Sequence, residues 1–192
     1  MLDAAERGDA DAVRAALAVG ARPEARDAHR RTPLLLAALG DHVAAARPLV
    51  AAGADPDAQD DRSDSAWLVT GVTGSAEMGR LLMSGDRTPD LTLTNRFGGT
   101  SVIPASERGH VGYVRWVTRH TDIDVDHVND LGWTALLEAV ILGDGGRDHR
   151  EIVALLLAAD ADPDIADKDG VTPLRHARNR GFTEIADLLE RG

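Results

Sequence analysis

The chain copies itself. The stretch "RTPLLLAALGDHVAAARPLVAAGADPDAQD" (31–60) has counterparts in "GTSVIPASERGHVGYVRWVT" (99–118), "WTALLEAVILGDGGRDHREIVALLLAADADPDIADKDG" (133–170) and "VTPLRHARNRGFTEIADLLERG" (171–192). The threonine or serine that opens each copy falls at Thr32, Ser65, Thr100, Thr134 and Thr172, at spacings of 33, 35, 34 and 38. Each copy closes on an Asp-x-polar triplet: Asp55-Pro56-Asp57, Asp90-Leu91-Thr92, Asp124-Val125-Asp126 and Asp162-Pro163-Asp164. A period of this length means that one supersecondary unit is stacked on its neighbours.

The unit follows from local chemistry. A threonine hydroxyl caps free N–H groups, and a proline at the first helical position has no N–H to leave unpaired. The apolar run after it lasts about two turns and ends near a glycine (Gly74, Gly109, Gly143, Gly181). A second amphipathic run follows, as in "HREIVALLLAA", with Ile152, Val153, Leu156 and Leu157 on one face. The segment "GADPDAQDDRSD" cannot continue a helix and reads as a projecting turn. Helix, turn, helix and finger make one unit, and no unit buries its apolar face alone.

This pattern resembles the ankyrin repeat, Thr-Pro-Leu-His-x-Ala-Ala, then Gly-His, a longer apolar helix and Gly-Ala-Asp-x-Asn. Thr172-Pro173-Leu174 with His176-Ala177, Gly109-His110 and Gly53-Ala54-Asp55 carry the likeness. More narrowly, "NRFGGTSVIPASERGHV" and "NDLGWTALLEAVILGDGG" are similar to segments of small stand-alone bacterial ankyrin proteins. The resemblance covers nearly the whole chain. It implies an all-α ankyrin repeat solenoid of stacked helix–turn–helix units with projecting β-turn fingers, in one domain, 1–192. The units divide approximately as 1–30 (an N-terminal cap), 31–63, 64–98, 99–132, 133–170 and 171–192 (a C-terminal cap).

Composition narrows the function. The formal charge of −11 argues against a nucleic-acid binder, which needs a basic stripe, and against an anionic membrane surface. No apolar run is long enough to span a bilayer. The absence of cysteine removes disulfides, thiolate nucleophiles and Cys-based zinc sites. "MLDAAERGDA" lacks a basic region and an apolar core, so a cytoplasmic protein is expected, with an exported one as the alternative. Strong negative charge favours a monomer.

Several stretches imitate chemistry. In "AVILGDGGRDHREIV" (139–153), Gly143, Gly145 and Gly146 precede a helical run like a phosphate loop, but no strand comes before them and the sole lysine is Lys168. From Thr100 to His110 and from Thr172 to Phe182 is ten positions, whereas Thr134 to His149 is fifteen. Five residues, 144–148, are therefore inserted between two helices. Asp144, Arg147, Asp148 and His149 are candidate contacts there, against the plainer reading of a solvated loop. "DADPDIADKDG" (160–170) matches a calcium loop in its first acidic positions but has Ile165 where the turn glycine belongs and Val171 where the bidentate glutamate belongs. Gly99-Thr100-Ser101 does not complete a nucleophile elbow. His42, His110 and His149 occupy one recurring position after the first helix and read as structural. No cofactor, metal or enzymatic activity is expected.

Aromatics are only 3% of the chain, so each is informative. Trp67 and Trp116 fall in core positions, while Phe97 and Trp133 belong to fingers. By the ankyrin resemblance, fingers and first helices form a concave face, and Glu138 occupies an exposed position on it, with Glu107 and Arg108 at the far end of the preceding first helix. The candidate partner-binding residues are thus Arg96, Phe97, Glu107, Arg108, Asp130, Trp133 and Glu138, with Asp60, Asp61, Asp130 and Asp169 steering a basic protein partner. The alternative is a small-ligand or metal-binding protein using Glu138, His127, Asp144 and His149. Thr70, Gly71 and Pro104 make the middle of the array irregular, through either function or repeat decay.

Overall fold

The computed structural model describes residues 1–191. The last predicted unit, 171–192, ends on Gly192, which lies outside the described residues. Twelve helices and no strand occur among the described residues. The chain separates into two compact units, Met1–Arg96 and a second beginning at Phe97.

In the first unit the helices pair as α1 (Leu2–Glu6) with α2 (Ala10–Ala18), α3 (Pro33–Leu39) with α4 (Val43–Ala51), and α5 (Ala66–Thr73) with α6 (Ala76–Met83). The first helices α1, α3 and α5 pack side by side, and the second helices α2, α4 and α6 do the same. In the second unit the pairs are α7 (Val102–Glu107) with α8 (Val111–His120), α9 (Ala135–Ile141) with α10 (Arg147–Leu157), and α11 (Pro173–Asn179) with α12 (Thr183–Leu189). There α9 packs between α7 and α11, and α10 between α8 and α12.

Small and branched apolar side chains fill both cores. Leu34, Leu35, Leu49, Trp67, Met78 and Leu82 are fully buried in the first unit, and Tyr113, Leu136, Leu137, Ile152, Leu156 and Ile185 in the second. Trp116 is buried as well, so both core tryptophans sit where the repeat register puts them.

Capping explains where the first helices begin. The hydroxyl of Thr32 accepts from Leu35 N (3.1 Å), Ser65 from Leu68 N (3.2 Å), Thr134 from Leu137 N (3.2 Å) and Thr172 from Arg175 N (3.4 Å). Thr100 breaks the series. Pro104 has no N–H to give the Thr100 carbonyl, and that carbonyl instead takes Ile103 N at 3.2 Å. Helix α7 accordingly starts late, at Val102, with no side-chain cap. The Thr100 and Ser101 hydroxyls are left buried without a partner. Thr70 and Gly71, by contrast, are absorbed into α5 and buried.

The fingers are also built locally. Five residues before Thr32, Ser65, Thr134 and Thr172 stands an Asp or Asn whose Oδ1 accepts two amides of the following turn. Asp27 takes His29 N and Arg31 N (2.9 and 2.8 Å), and Asp60 takes Arg62 N and Asp64 N (2.7 and 3.0 Å). Asn129 takes Leu131 N and Trp133 N (3.0 Å each), and Asp167 takes Asp169 N and Val171 N (3.0 and 2.9 Å). These are side-chain turns that Asn and Asp favour because their oxygen replaces a backbone acceptor.

The capping contrast is testable by substitution. Thr134→Val removes a working cap and should cost about 1 kcal/mol, whereas Thr100→Val replaces an unpartnered buried hydroxyl and should be neutral or stabilising. Urea denaturation of the two variants checks this; equal losses would contradict the capping assignment.

Candidate functional site

The 129–133 finger and helix α9 meet at Glu138. Four residues after the opening threonine, this position is held by His176 in the following repeat, where His176 Nε2 donates to Asp167 Oδ2 at 2.7 Å. At the earlier copy the donor and acceptor are exchanged. Asn129 Nδ2 donates to Glu138 Oε1 at 2.8 Å, and Asn129 Oδ1 remains committed to the finger amides. One side chain thereby ties the finger turn to the first helix in both repeats.

This overturns the expectation that Glu138 is exposed. It is only 6% exposed, because its carboxyl turns back onto Asn129 instead of reaching out from the helix. Burial, reinforced by the charge of Glu107 on the neighbouring α7, raises its pKa to about 7, against the opposing pull of the Asn129 hydrogen bond. Asp167 shows the reverse balance: the Val171 amide, then the His176 hydrogen bond, lowers its pKa.

The glycine-rich insert is a clip. His149 is buried and its Nε2 donates to the Glu107 carbonyl at 2.9 Å, as His42 Nε2 does to the Glu6 carbonyl at 3.1 Å. Its Nδ1 lies 2.8 Å from Asp144 Oδ1, which also accepts from Gly146 N at 2.8 Å. Those bonds, the Gly146 amide first, hold the Asp144 carboxyl below its ordinary pKa. A Cβ at Gly143 would strike the Ala139 carbonyl and the His149 ring, and one at Gly145 (φ +71°) would overlap the Phe182 ring. The glycines therefore admit close packing rather than cradle an anion. The predicted loop 144–148 is also corrected: Arg147 and Asp148, both exposed, form the first turn of α10, so the irregular segment is 142–146.

The remaining candidates separate. Phe97 and Leu131 occupy the same place in successive finger turns and are 51% and 50% exposed. Trp133, at the base of its finger, is half-buried, and Asp130 is exposed with its N–H donating to the Phe97 carbonyl at 2.9 Å. Glu107 ends α7 and Arg108 follows it, exposed. Arg96 lies in the first unit, 3.9 Å from Asp64. His127 Nε2 donates to the Gly98 carbonyl at 2.7 Å, which occupies it structurally. Among the described residues, no three His, Cys, Asp or Glu side chains are placed to hold a metal ion. Leu131 and Asn129 were absent from the sequence-based candidates, although alignment of Asn129 with Asp167 and of Leu131 with Phe97 carries the signal.

Some acidic side chains do structural service. Asp126 Oδ1 accepts from Asp162 N at 2.9 Å, and Asp57 Oδ2 from Asp90 N at 2.8 Å, so finger bases are stitched repeat to repeat. Lys168 lies along Gly132 and bonds the Asp130 carbonyl, placing a cation on the finger that Asp130 was expected to make acidic.

Two measurements check this site. The folded state keeps Glu138 protonated to about pH 7, whereas the unfolded chain ionises it near 4.5. Stability is therefore fully present below the unfolded value, falls as pH rises between the two, and stays lower by roughly 3 kcal/mol above the folded value. Glu138→Gln should equal the wild type near pH 4 and exceed it by roughly 2–3 kcal/mol at pH 8 in urea unfolding; no difference at pH 8 would contradict the assignment. For the clip, His149→Ala should cost about 2–3 kcal/mol, the penalty for orphaning a buried acceptor and opening a hole; a loss under about 0.5 kcal/mol, the range of an ordinary surface change, would contradict it.

A family profile described as "Ankyrin repeats (3 copies)" matches residues 66–167, and the single "Ankyrin repeat" profile matches 29–61. The "Putative ankyrin repeat protein YahD" of Escherichia coli (strain K12) is 41% identical over 97% of this chain and 92% of its own length. Among solved structures, an ankyrin repeat domain from Acinetobacter baumannii AYE superposes with a TM-score of 0.92 at 46% identity, covering 99% of this chain and 95% of that one. The ankyrin repeat protein EF0377 gives 0.94 at 36%, with 99% and 96% covered. The ankyrin repeat domain of Bcl-3, a member of the IkappaB protein family, gives 0.85 at 26%, with 99% and 84% covered.

Proposed function

The chain belongs to the ankyrin repeat family, and we propose that it is a non-catalytic scaffold that binds a partner protein through the finger and first-helix face of its second unit. Ankyrin repeats generally mediate protein–protein interaction, and proteins built from them are generally non-enzymatic. No helix among the described residues is long and apolar enough to cross a membrane.

One observation carries the reading. Phe97 and Leu131 present half-exposed apolar side chains from successive finger turns. A large apolar group held on a rigid turn is a low-entropy contact anchor, since little freedom remains to be lost on binding. Trp133 and Asp130 share the finger of the second anchor, and Glu107 and Arg108 at the end of α7 add one charge of each sign to the proposed face, which suits a partner of mixed charge better than a uniformly basic one. The competing ligand-site reading around the insert is weaker, because Asp144 and His149 already satisfy each other and the Glu107 carbonyl.

Affinity capture tests the proposal, with the wild type beside the Phe97→Ala/Leu131→Ala variant. Anchors of this kind are worth about 2 kcal/mol or more, so the variant should hold the partner at least about tenfold less well with its thermal midpoint nearly unchanged. Equal retention by both proteins would contradict the anchor assignment. A parallel Arg147→Ala/Asp148→Ala variant should bind as the wild type does; selective loss there would move the surface to the insert.

A further inference from the structure

The bond that closes the 129–133 finger onto α9 involves a buried acid with no cation to answer it. Glu138 is only 6% exposed, and Asn129 Nδ2 is its hydrogen-bond donor. On α7 the opposing group is the Glu107 carboxyl, with Arg108 beyond it turned to solvent. On α10, His149 is committed to Asp144 and the Glu107 carbonyl, Arg150 to Glu184 and Glu151 to Arg115, while Arg147 and Asp148 are exposed. On α11, His176 is committed to Asp167, Arg178 to Glu190, and Arg180 just beyond to the Val140 and Ile141 carbonyls, while Arg175 is exposed. Among the described residues no cation pairs with Glu138.

We propose that Glu138 is a proton-operated latch on the 129–133 finger: protonated, it holds Asn129 and the finger against α9, and losing that proton frees the finger that carries Asp130, Leu131 and Trp133. The neutral acid keeps a carbonyl oxygen for the Asn129 amide and costs little to bury. Once ionised it needs water that the site excludes, and it faces the Glu107 charge as well. Turning outward relieves both, but the Asn129 amide then loses its partner. Because Asn129 Oδ1 also accepts Leu131 N and Trp133 N, the turn loosens with it. Titration near neutrality places the transition where a small pH change shifts its population.

The consequence for recognition rests on the finger and first-helix surface proposed above, but the latch itself is tested in the free protein. Nuclear magnetic resonance of the full chain between about pH 5 and pH 9 should show the Glu138 carboxyl carbon, the Leu131 and Trp133 backbone amides and the Asn129 side-chain amide titrating with one common midpoint. Glu138→Gln should abolish the amide transition, and Glu107→Gln should lower the Glu138 midpoint by about a unit, as expected for removal of a nearby like charge. Finger amides that stay invariant while Glu138 titrates, or a transition that persists in Glu138→Gln, would overturn the latch. If Glu138→Gln fails to fold, an unmoved midpoint in Glu107→Gln overturns it equally. Partner capture at pH 6 and pH 8 separates the two readings: no binding at either pH removes the surface, whereas pH-independent binding by a protein whose finger amides titrate removes only the link between them.

Discussion

Helices of five to eleven residues cannot hold themselves together in water, because the cost of the first turn is not recovered over so short a length. Everything else in this protein follows from that shortness. Each pair must lay its apolar side on the next pair, which is why α9 packs between α7 and α11 and why Leu136, Leu137, Ile152 and Leu156 lose all contact with solvent. Small side chains suit the arrangement, since alanine and valine let helices approach closely where large aromatics would hold them apart.

The second level of order is polar. The last two finger turns are each shaped by one Asp or Asn accepting two amides, and the remaining atom of that side chain addresses the first helix. Asp167 uses it to accept from His176; Asn129 uses it to donate to Glu138. Both solutions close the same gap, yet they differ in charge. The Val171 amide and then the imidazole N–H favour ionisation of Asp167, whereas burial and the facing Glu107 charge favour the neutral form of Glu138 against the pull of the Asn129 amide. The backbone of Glu107 adds a third link, since its carbonyl receives His149 while its side chain opposes Glu138. Insert, first helices and finger thus meet around two glutamates.

How much of this was legible depended on whether a feature repeats. The caps at Thr32, Ser65, Thr134 and Thr172, the turns at Asp55, Asp90, Asp124 and Asp162, and the burial of Trp67 recur with the period and could be read directly. The exceptions could not. The ankyrin resemblance puts Glu138 at an exposed position of its first helix; its partner lies nine residues earlier and becomes visible only when Asn129 is set against Asp167. The missing N–H of Pro104 is legible as a disturbance of its helix, but the loss of the Thr100 cap is visible only in the hydrogen bonds. The length of the insert was countable, whereas its continuation into α10 depended on the Asp144–His149 contact that folds it back. The anchors on the fingers remain a matter of exposure, which a sequence records only indirectly.

The central physical claim is that each helix pair owes its order to the neighbour it packs on. Native-state hydrogen exchange on a chain ended after Gly170, which lacks α11 and α12, tests it most directly. The account predicts that amide protection in α9 and α10 falls markedly while that in α3 and α4 is retained. Protection of α9 and α10 equal to that of the full chain would show that a pair stands on its own, and would contradict the account.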